Sequence, residues 1–275
     1  MDKKHLLNSK QMANFAADGY LQFDELVPDD LNRAAHENID AGVGGFAAGS
    51  PFSEAYPDPS PIGKVFRLPE VQGVIHSLVG PDPLYDHHAA HRVEPGILTG
   101  QHWHADAIID TRLHFDIQFF YFCHDTPREM GGTMILPGSH YRRISESDIA
   151  RYHNFRGQQP IVCKAGTIVV VHHGIWHCAQ PNHTEQRRYM FKLRLNPTVR
   201  QCRLWNTDDL DAPEVGSNLA KNHPWYGLEG RLEQVNRIKF WRFLTGDEDF
   251  DIGYWLGRLE NMPEELADSF VESQS

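Results

Sequence analysis

Residues 99–110, TGQHWHADAIID, place His102, His104 and Asp106 at every second position of a stretch that reads as a β-strand. Side chains two apart on a strand share a face, so three metal-capable groups are expected to be aimed the same way. The surroundings repeat this character. Short alternating or apolar runs occupy 84–93, 97–109, 113–123, 133–136, 161–164, 167–173 and 188–195, separated by EPG, TPREMGG, PGSH and KAG. Strands at this spacing predict a β-sandwich or jelly roll, with a core or cavity between two sheets.

Helical signals flank this block. Met12, Phe15 and Ala16 fall at helical spacing behind Asn8 or Ser9 as a cap, and Gly19 stops the run. YLQFDEL alternates like a strand, and Asp29 or Asp30 is expected to cap a helix carrying Leu31, Ala34 and Ala35. Residues 42–63, GVGGFAAGSPFSEAYPDPSPIG, are rich in Gly, Pro and Ser and read either as a lid at the cavity mouth or as disorder. Pro69 opens a helix over 69–79 whose apolar face is Val71, Val74, Ile75, Leu78 and Val79, and Gly80 ends it. Beyond 200, Leu232, Val235, Ile238, Trp241 and Phe243 predict a helix covering one sheet. The expected organisation over 1–275 is one mainly β domain with flanking helices: an N-terminal helical part, 1–83, a jelly-roll core over about 84–196, and a C-terminal helical extension, 200–275.

Bulk properties narrow the function. A chain of 275 residues, 40% hydrophobic, can bury a sizeable core, and no apolar run of membrane-spanning length occurs. The formal charge of −11 argues against nucleic acid and anionic membrane as partners. MDKKHLLNSK lacks the apolar region of a secretory signal, and Cys123, Cys163, Cys178 and Cys202 form no C-x-x-C pair, so a reducing, cytoplasmic setting is expected.

A histidine and a carboxylate two residues apart can grip one metal ion, but H-x-D is a weak signal alone. A third ligand must come from elsewhere, and VVVHHGIWHCAQPN, 169–182, offers His172, His173 and His177 at the end of another strand. Arg188, eleven residues beyond His177, opens the alternating RYMFKLRLN, where a guanidinium facing the metal would take a carboxylate bidentately. Two histidines, one carboxylate and open positions favour non-haem Fe(II) oxygenase chemistry.

Taken in order, WHAD at 103–106, GGTMILPGSH at 131–140 and WHCAQPNHTEQRR at 176–188 resemble the phytanoyl-CoA dioxygenase (PhyH) family of Fe(II)- and 2-oxoglutarate-dependent oxygenases. FAADGYLQFDELVPDDL resembles the family's opening, so the likeness runs from about 15 to 196. It implies a double-stranded β-helix, a cupin-like jelly roll. It also implies His104, Asp106 and His177 as iron ligands, and Arg188, rather than the adjacent Arg187, as the residue holding the far carboxylate of 2-oxoglutarate. His88 and Arg92 are candidates for a further 2-oxoglutarate contact, and Asn182 for either cosubstrate contact or loop ordering. His102 is left as a neighbour: behind the ligands, at the substrate entrance, or on the rim without a role. The family often has a serine two residues after the distal histidine; here it is Ala179.

The implied reaction consumes 2-oxoglutarate and O2 at Fe(II), releases succinate and CO2, and hydroxylates an unactivated C–H bond of a small organic metabolite. Asp106 argues against a halogenase, which needs a small residue there. Phe119, Tyr121, Trp103 and Trp176 are weighed as pocket walls against plain core packing. Two other classes stay open: a zinc or other divalent-metal hydrolase, which His102 as an extra ligand would favour, and a non-catalytic binding protein on the same fold.

Overall fold

Alternation along RYMFKLRLN decides where the core sits. Tyr189, Phe191, Leu193 and Leu195 are buried on one face, while Arg188, Met190 and Lys192 turn to the other and line a cavity. The computed structural model describes residues 1–45, 51–106, 114–142, 149, 152–227 and 230–252.

Among the described residues the strands are β1 Tyr20–Phe23, β2 Leu84–Val93, β3 Ile117–Phe122, β4 Thr133–Ile135, β5 Gln159–Pro160, β6 Thr167–His172, β7 His177–Ala179 and β8 Arg188–Asn196. They make a five-stranded antiparallel sheet, β1-β6-β3-β8-β2, and a three-stranded one, β5-β4-β7. Phe120, Phe122, Val169 and Val171 of the large sheet pack with Ile135 of the small one, so the sheets face each other as in a jelly roll. The large sheet is buried on both faces, and every position of β3 and β6 is buried, which is why both are largely apolar.

Its outer face carries the helices α1 Ser9–Asp18, α2 Asp29–Asp40, α3 Phe52–Ala55, α4 Pro61–Arg67 and α5 Pro69–Val79. For α1, the Asn8 side chain accepts from Gln11 N while Gln11 reaches back to Asn8 N, and Gly19 at φ 78° ends the helix as expected. A side chain at Gly19 would collide with His140. Helix α5 matches its predicted bounds and buried face. Helix α2 has Pro28, not an aspartate, at its N-cap; Asp29 and Asp30 lie in the first turn, where the helix dipole favours them. Later helices are α6 Pro213–Leu219 and α7 Gly230–Thr245. Phe240 and Leu244 join the buried side of α7 while Leu232 is exposed, and the helix packs on α1 and α6 at the sheet's margin. No described helix is long and apolar enough to cross a membrane.

Three expectations are corrected. Residues 97–106 form no regular strand; they meet β7 through an antiparallel bridge between His104 and His177 and a bond from Gln101 N to the Ala179 carbonyl. The run at 161–164 is likewise a bridge, Thr126 to Cys163, beside β5. The expected lid contains the short helix α3 and the start of α4: Phe52, Tyr56 and Ile62 are buried on the outer face of the large sheet, away from the cavity, because their apolar side chains fill the space over Tyr85, His88 and Phe191. Residues 46–50 of that segment, 107–110 of the TGQHWHADAIID stretch and the extension from 253 on lie outside the described residues.

Burial of histidines makes the fold acid-sensitive. His172 stacks on Phe115 at 5.4 Å, its Nδ1 accepts from Gly174 N, and burial, with His173 beside it, lowers its pKa from 6.5 to about 3. The unfolded chain therefore takes a proton at a pH where the folded one refuses it. This contribution to stability is full above pH 6.5 and falls as the pH drops toward 3. Between pH 7 and 5 the protein is expected to lose about 2 kcal/mol from this group. Urea midpoints of metal-free protein at the two pH values check this: His172→Phe should lose less than wild type, whatever its stability at pH 7.

Candidate metal centre

The bridge that replaces the expected strand builds the site. His104 N donates to the His177 carbonyl at 3.1 Å and His177 N to the His104 carbonyl at 2.9 Å, setting the rings side by side with centroids 4.4 Å apart. Asp106 follows two residues on, and the ligand atoms of His104, Asp106 and His177 all lie within 4.8 Å of one another. Each ring is tied at Nδ1, His104 to the His102 carbonyl at 2.9 Å and His177 to the Ile175 carbonyl at 3.1 Å. A carbonyl only accepts, so Nδ1 carries the proton and the Nε2 lone pair is left for a metal.

Tertiary contacts set the charge. Oδ2 of Asp106 accepts from Gln118 Nε2 on β3 and Lys192 Nζ on β8, both at 2.7 Å. Burial raises the Asp106 carboxyl, but His177, Lys192 and these hydrogen bonds outweigh it and hold the group well below the usual carboxylate range. His177 itself is lowered to about 4, chiefly by burial. It is therefore neutral at pH 7, and the cation that keeps Asp106 ionised there is Lys192. Two imidazole nitrogens, tied from behind, with one carboxylate oxygen fit a divalent transition-metal ion and leave coordination positions open.

A cavity of about 330 Å³ between the sheets adjoins the cluster, walled by Phe120, Phe122, Met190, Thr133, Gln101 and Arg188 among others. Arg188 is 5% exposed; its Nη1 donates to the Met130 and Gln180 carbonyls, each at 3.0 Å, and burial lowers its pKa to about 10, leaving it charged at neutral pH. No carboxylate pairs with it among the described residues. Gly131, at φ 69°, makes this floor possible, since a Cβ there would lie 1.8 Å from the Pro181 carbonyl oxygen. Arg187, by contrast, faces outward and pairs with Glu94 at 2.8 Å.

Other expected residues fall elsewhere. His88 is buried on the helix side against Tyr56 and Phe52, at 5.1 and 6.0 Å, and Arg92 Nη2 donates to the Ile39 carbonyl at the end of α2. Alternation along β2 turns His88 away from the cavity and His91 toward it, while Arg92 borders the cavity with its guanidinium tied at α2. Asn182 is a loop pin: Nδ2 donates to the Gln186 carbonyl at 2.7 Å and Oδ1 accepts from Thr184, ordering the approach to Arg188. The His102 side chain is exposed; only its carbonyl serves the cluster. His172 lies among the aromatics on the helix side, and His173 is 3.6 Å from Asp116. His177 belongs to the small sheet, because the chain turns at Gly174. Phe119 and Tyr121 pack under the helices, so Phe120 and Phe122 are the cavity aromatics. Trp103 and Trp176 sit in a separate core cluster. Sequence reasoning missed Gln118 and Lys192, and also Thr133, which pairs across from Ala179 on the cavity wall where the family serine is lacking. Lys192 had a signal: it lies four residues from Arg188 on one strand face.

A family model, phytanoyl-CoA dioxygenase (PhyH), matches residues 18–190. The chain belongs to the PhyH family. As a PhyH member it is an Fe(II)- and 2-oxoglutarate-dependent dioxygenase using O2. HygX from Streptomyces hygroscopicus, solved with nickel and 2-oxoglutarate bound, is similar at a TM-score of 0.58 and 12% identity, over 70% of this chain and 88% of that one. SnoK, a non-heme alpha-ketoglutarate-dependent carbocyclase from nogalamycin biosynthesis, has a TM-score of 0.51 and 17% identity, over 72% and 84%. AviO1 from Streptomyces viridochromogenes Tue57 has 0.50 and 13%, over 69% and 96%. These likenesses bear on the fold. No curated protein matches the chain.

Proposed function

We propose that this PhyH enzyme hydroxylates an unactivated C–H bond of a small organic metabolite, with His104, Asp106 and His177 holding Fe(II) and Arg188 holding the far carboxylate of 2-oxoglutarate. The observation that carries this reading is the shared cavity: the three-residue cluster and a buried arginine with no protein carboxylate open onto one space. When bound, iron, 2-oxoglutarate and O2 supply the oxidising chemistry, yielding succinate, CO2 and a hydroxylated product.

The chain's own part is binding, orientation and exclusion of water. The Nδ1 ties fix both imidazoles, and Gln118 and Lys192 fix the carboxylate, so the cluster needs little rearrangement to receive an ion. Carbonyls of Met130 and Gln180 hold Arg188 in one pose, so its remaining N–H groups are oriented toward a carboxylate before it arrives. Phe120, Phe122 and Met190 keep the walls apolar. HygX has been solved with hygromycin B bound, and SnoK is a carbocyclase, which supports a small-molecule substrate while leaving room for oxidative outcomes other than hydroxylation. A zinc hydrolase would take His102 as a further ligand; its exposed side chain speaks against that.

Anaerobic titration of Fe(II)-loaded protein with 2-oxoglutarate tests the reading. A visible iron-to-keto-acid charge-transfer band that saturates at one equivalent is expected. Tight iron binding without that band overturns it.

A further inference from the structure

Lys192 holds Asp106 but has more donors and more charge than that role uses. Its side chain is 14% exposed, on the cavity face of β8, with Nζ 2.7 Å from Asp106 Oδ2. Gln118 donates to the same oxygen at the same distance, so Lys192 shares the holding of Asp106 and keeps two further N–H donors. The other charged side chains at the cavity are also cationic: Arg188 on its floor, and Arg92, whose guanidinium is bound at α2. No aspartate or glutamate besides Asp106 adjoins it among the described residues.

Charge balance then points to the substrate. In the metal-free cluster Lys192 and Asp106 neutralise each other. Once a divalent ion binds, that ion, Asp106, the 2-oxoglutarate dianion and Arg188 sum to zero, so Lys192, still hydrogen-bonded to Asp106, leaves the loaded centre with one net positive charge. An ammonium there is costly unless an anion or strong acceptor meets it. It has three N–H donors, of which Asp106 uses one.

We propose, resting on the metal and cosubstrate assignments above, that Lys192 binds the substrate and that the substrate is a small carboxylic acid whose carboxylate lies only a few bonds from the oxidised carbon. Proximity sets the second half of that statement: an anion on Lys192 Nζ is held next to a metal-ligand oxygen. Size agrees, since the 330 Å³ cavity is shared with 2-oxoglutarate.

Shape-matched pairs test this: isobutyrate against isobutyramide, and benzoate against benzamide. Binding is measured by ligand-observed NMR on zinc- and 2-oxoglutarate-loaded protein, with the 2-oxoglutarate signals confirming that the cosubstrate stays bound. At least one acid should bind about tenfold tighter than its amide, the gain expected of a charge-assisted hydrogen bond over a neutral one. Lys192→Met should erase the preference and Lys192→Arg should keep it. Wild-type protein that binds acid and amide alike, or binds neither, overturns the proposal, as does a preference that survives in Lys192→Met. Failure of 2-oxoglutarate to bind the zinc-loaded protein overturns the site assignment and this proposal with it.

Discussion

Asp106→Ala removes the only anionic ligand of the cluster, and turnover is expected to fall below detection. Loss of hydrogen-bonding partners behind metal ligands already costs roughly 10- to 100-fold in affinity or activity, so loss of a ligand itself should exceed about a hundredfold. The contacts around Asp106 add to this. Gln118 is fully buried and Lys192 nearly so, and both lose the acceptor they share, so the pocket is left with an unpaired cation where a divalent ion should bind. Iron affinity should therefore collapse along with turnover. Asp106→Asn separates the causes: it keeps an acceptor for those donors and the shape of the side chain but not the charge, and should remain inactive. The measurements are Fe(II) binding by calorimetry and conversion of 2-oxoglutarate to succinate. A variant that binds iron and makes succinate as wild type does would remove Asp106 from the ligand set.

Arg188→Leu should act on the other half of the site. A buried, charge-assisted contact to a carboxylate is worth about 1.5–3 kcal/mol, so 2-oxoglutarate affinity should drop by roughly 10- to 150-fold, while Fe(II) affinity changes little. The leucine also leaves the Met130 and Gln180 carbonyls without their donor, which adds to the loss. Arg188→Lys keeps a charge but not the planar fork, and should fall between. Arg187→Leu is the control: that residue pairs with Glu94 outside the cavity, and its loss should leave the cosubstrate affinity unchanged. Titration of the charge-transfer band in each variant gives the affinities. Equal affinity in wild type and Arg188→Leu, with Arg187→Leu impaired instead, would move the role by one residue.

What the sequence by itself determined is what local physics determines. Asn8, Gln11 and Gly19 bound α1, and Pro69 and Gly80 bound α5, because caps and stops act within one turn of the helix. The resemblance, with its count of eleven residues from His177, picked Arg188 over Arg187, and its order of motifs singled out His104, Asp106 and His177, which the fold gathers within 4.8 Å. Tertiary structure decided the rest. FDIQFFYF is apolar on both faces, so alternation could not tell Phe120 from Phe119 as the cavity wall; pairing of β3 with β6 and β8 did. Residues 97–106 resemble a strand but meet only the three-residue β7, through the His104–His177 bridge and the Gln101 N–H to the Ala179 carbonyl, so no regular ladder forms. Gly- and Pro-rich 51–63 took up two short helical stretches, 52–55 and 61–63, as Phe52, Tyr56 and Ile62 found an apolar sheet face to cover, a gain no local propensity records. Lys192 and Gln118 meet at Asp106 from strands 74 residues apart in sequence. Contacts of that kind depend on sheet register, which is set by the whole core rather than by any stretch of chain.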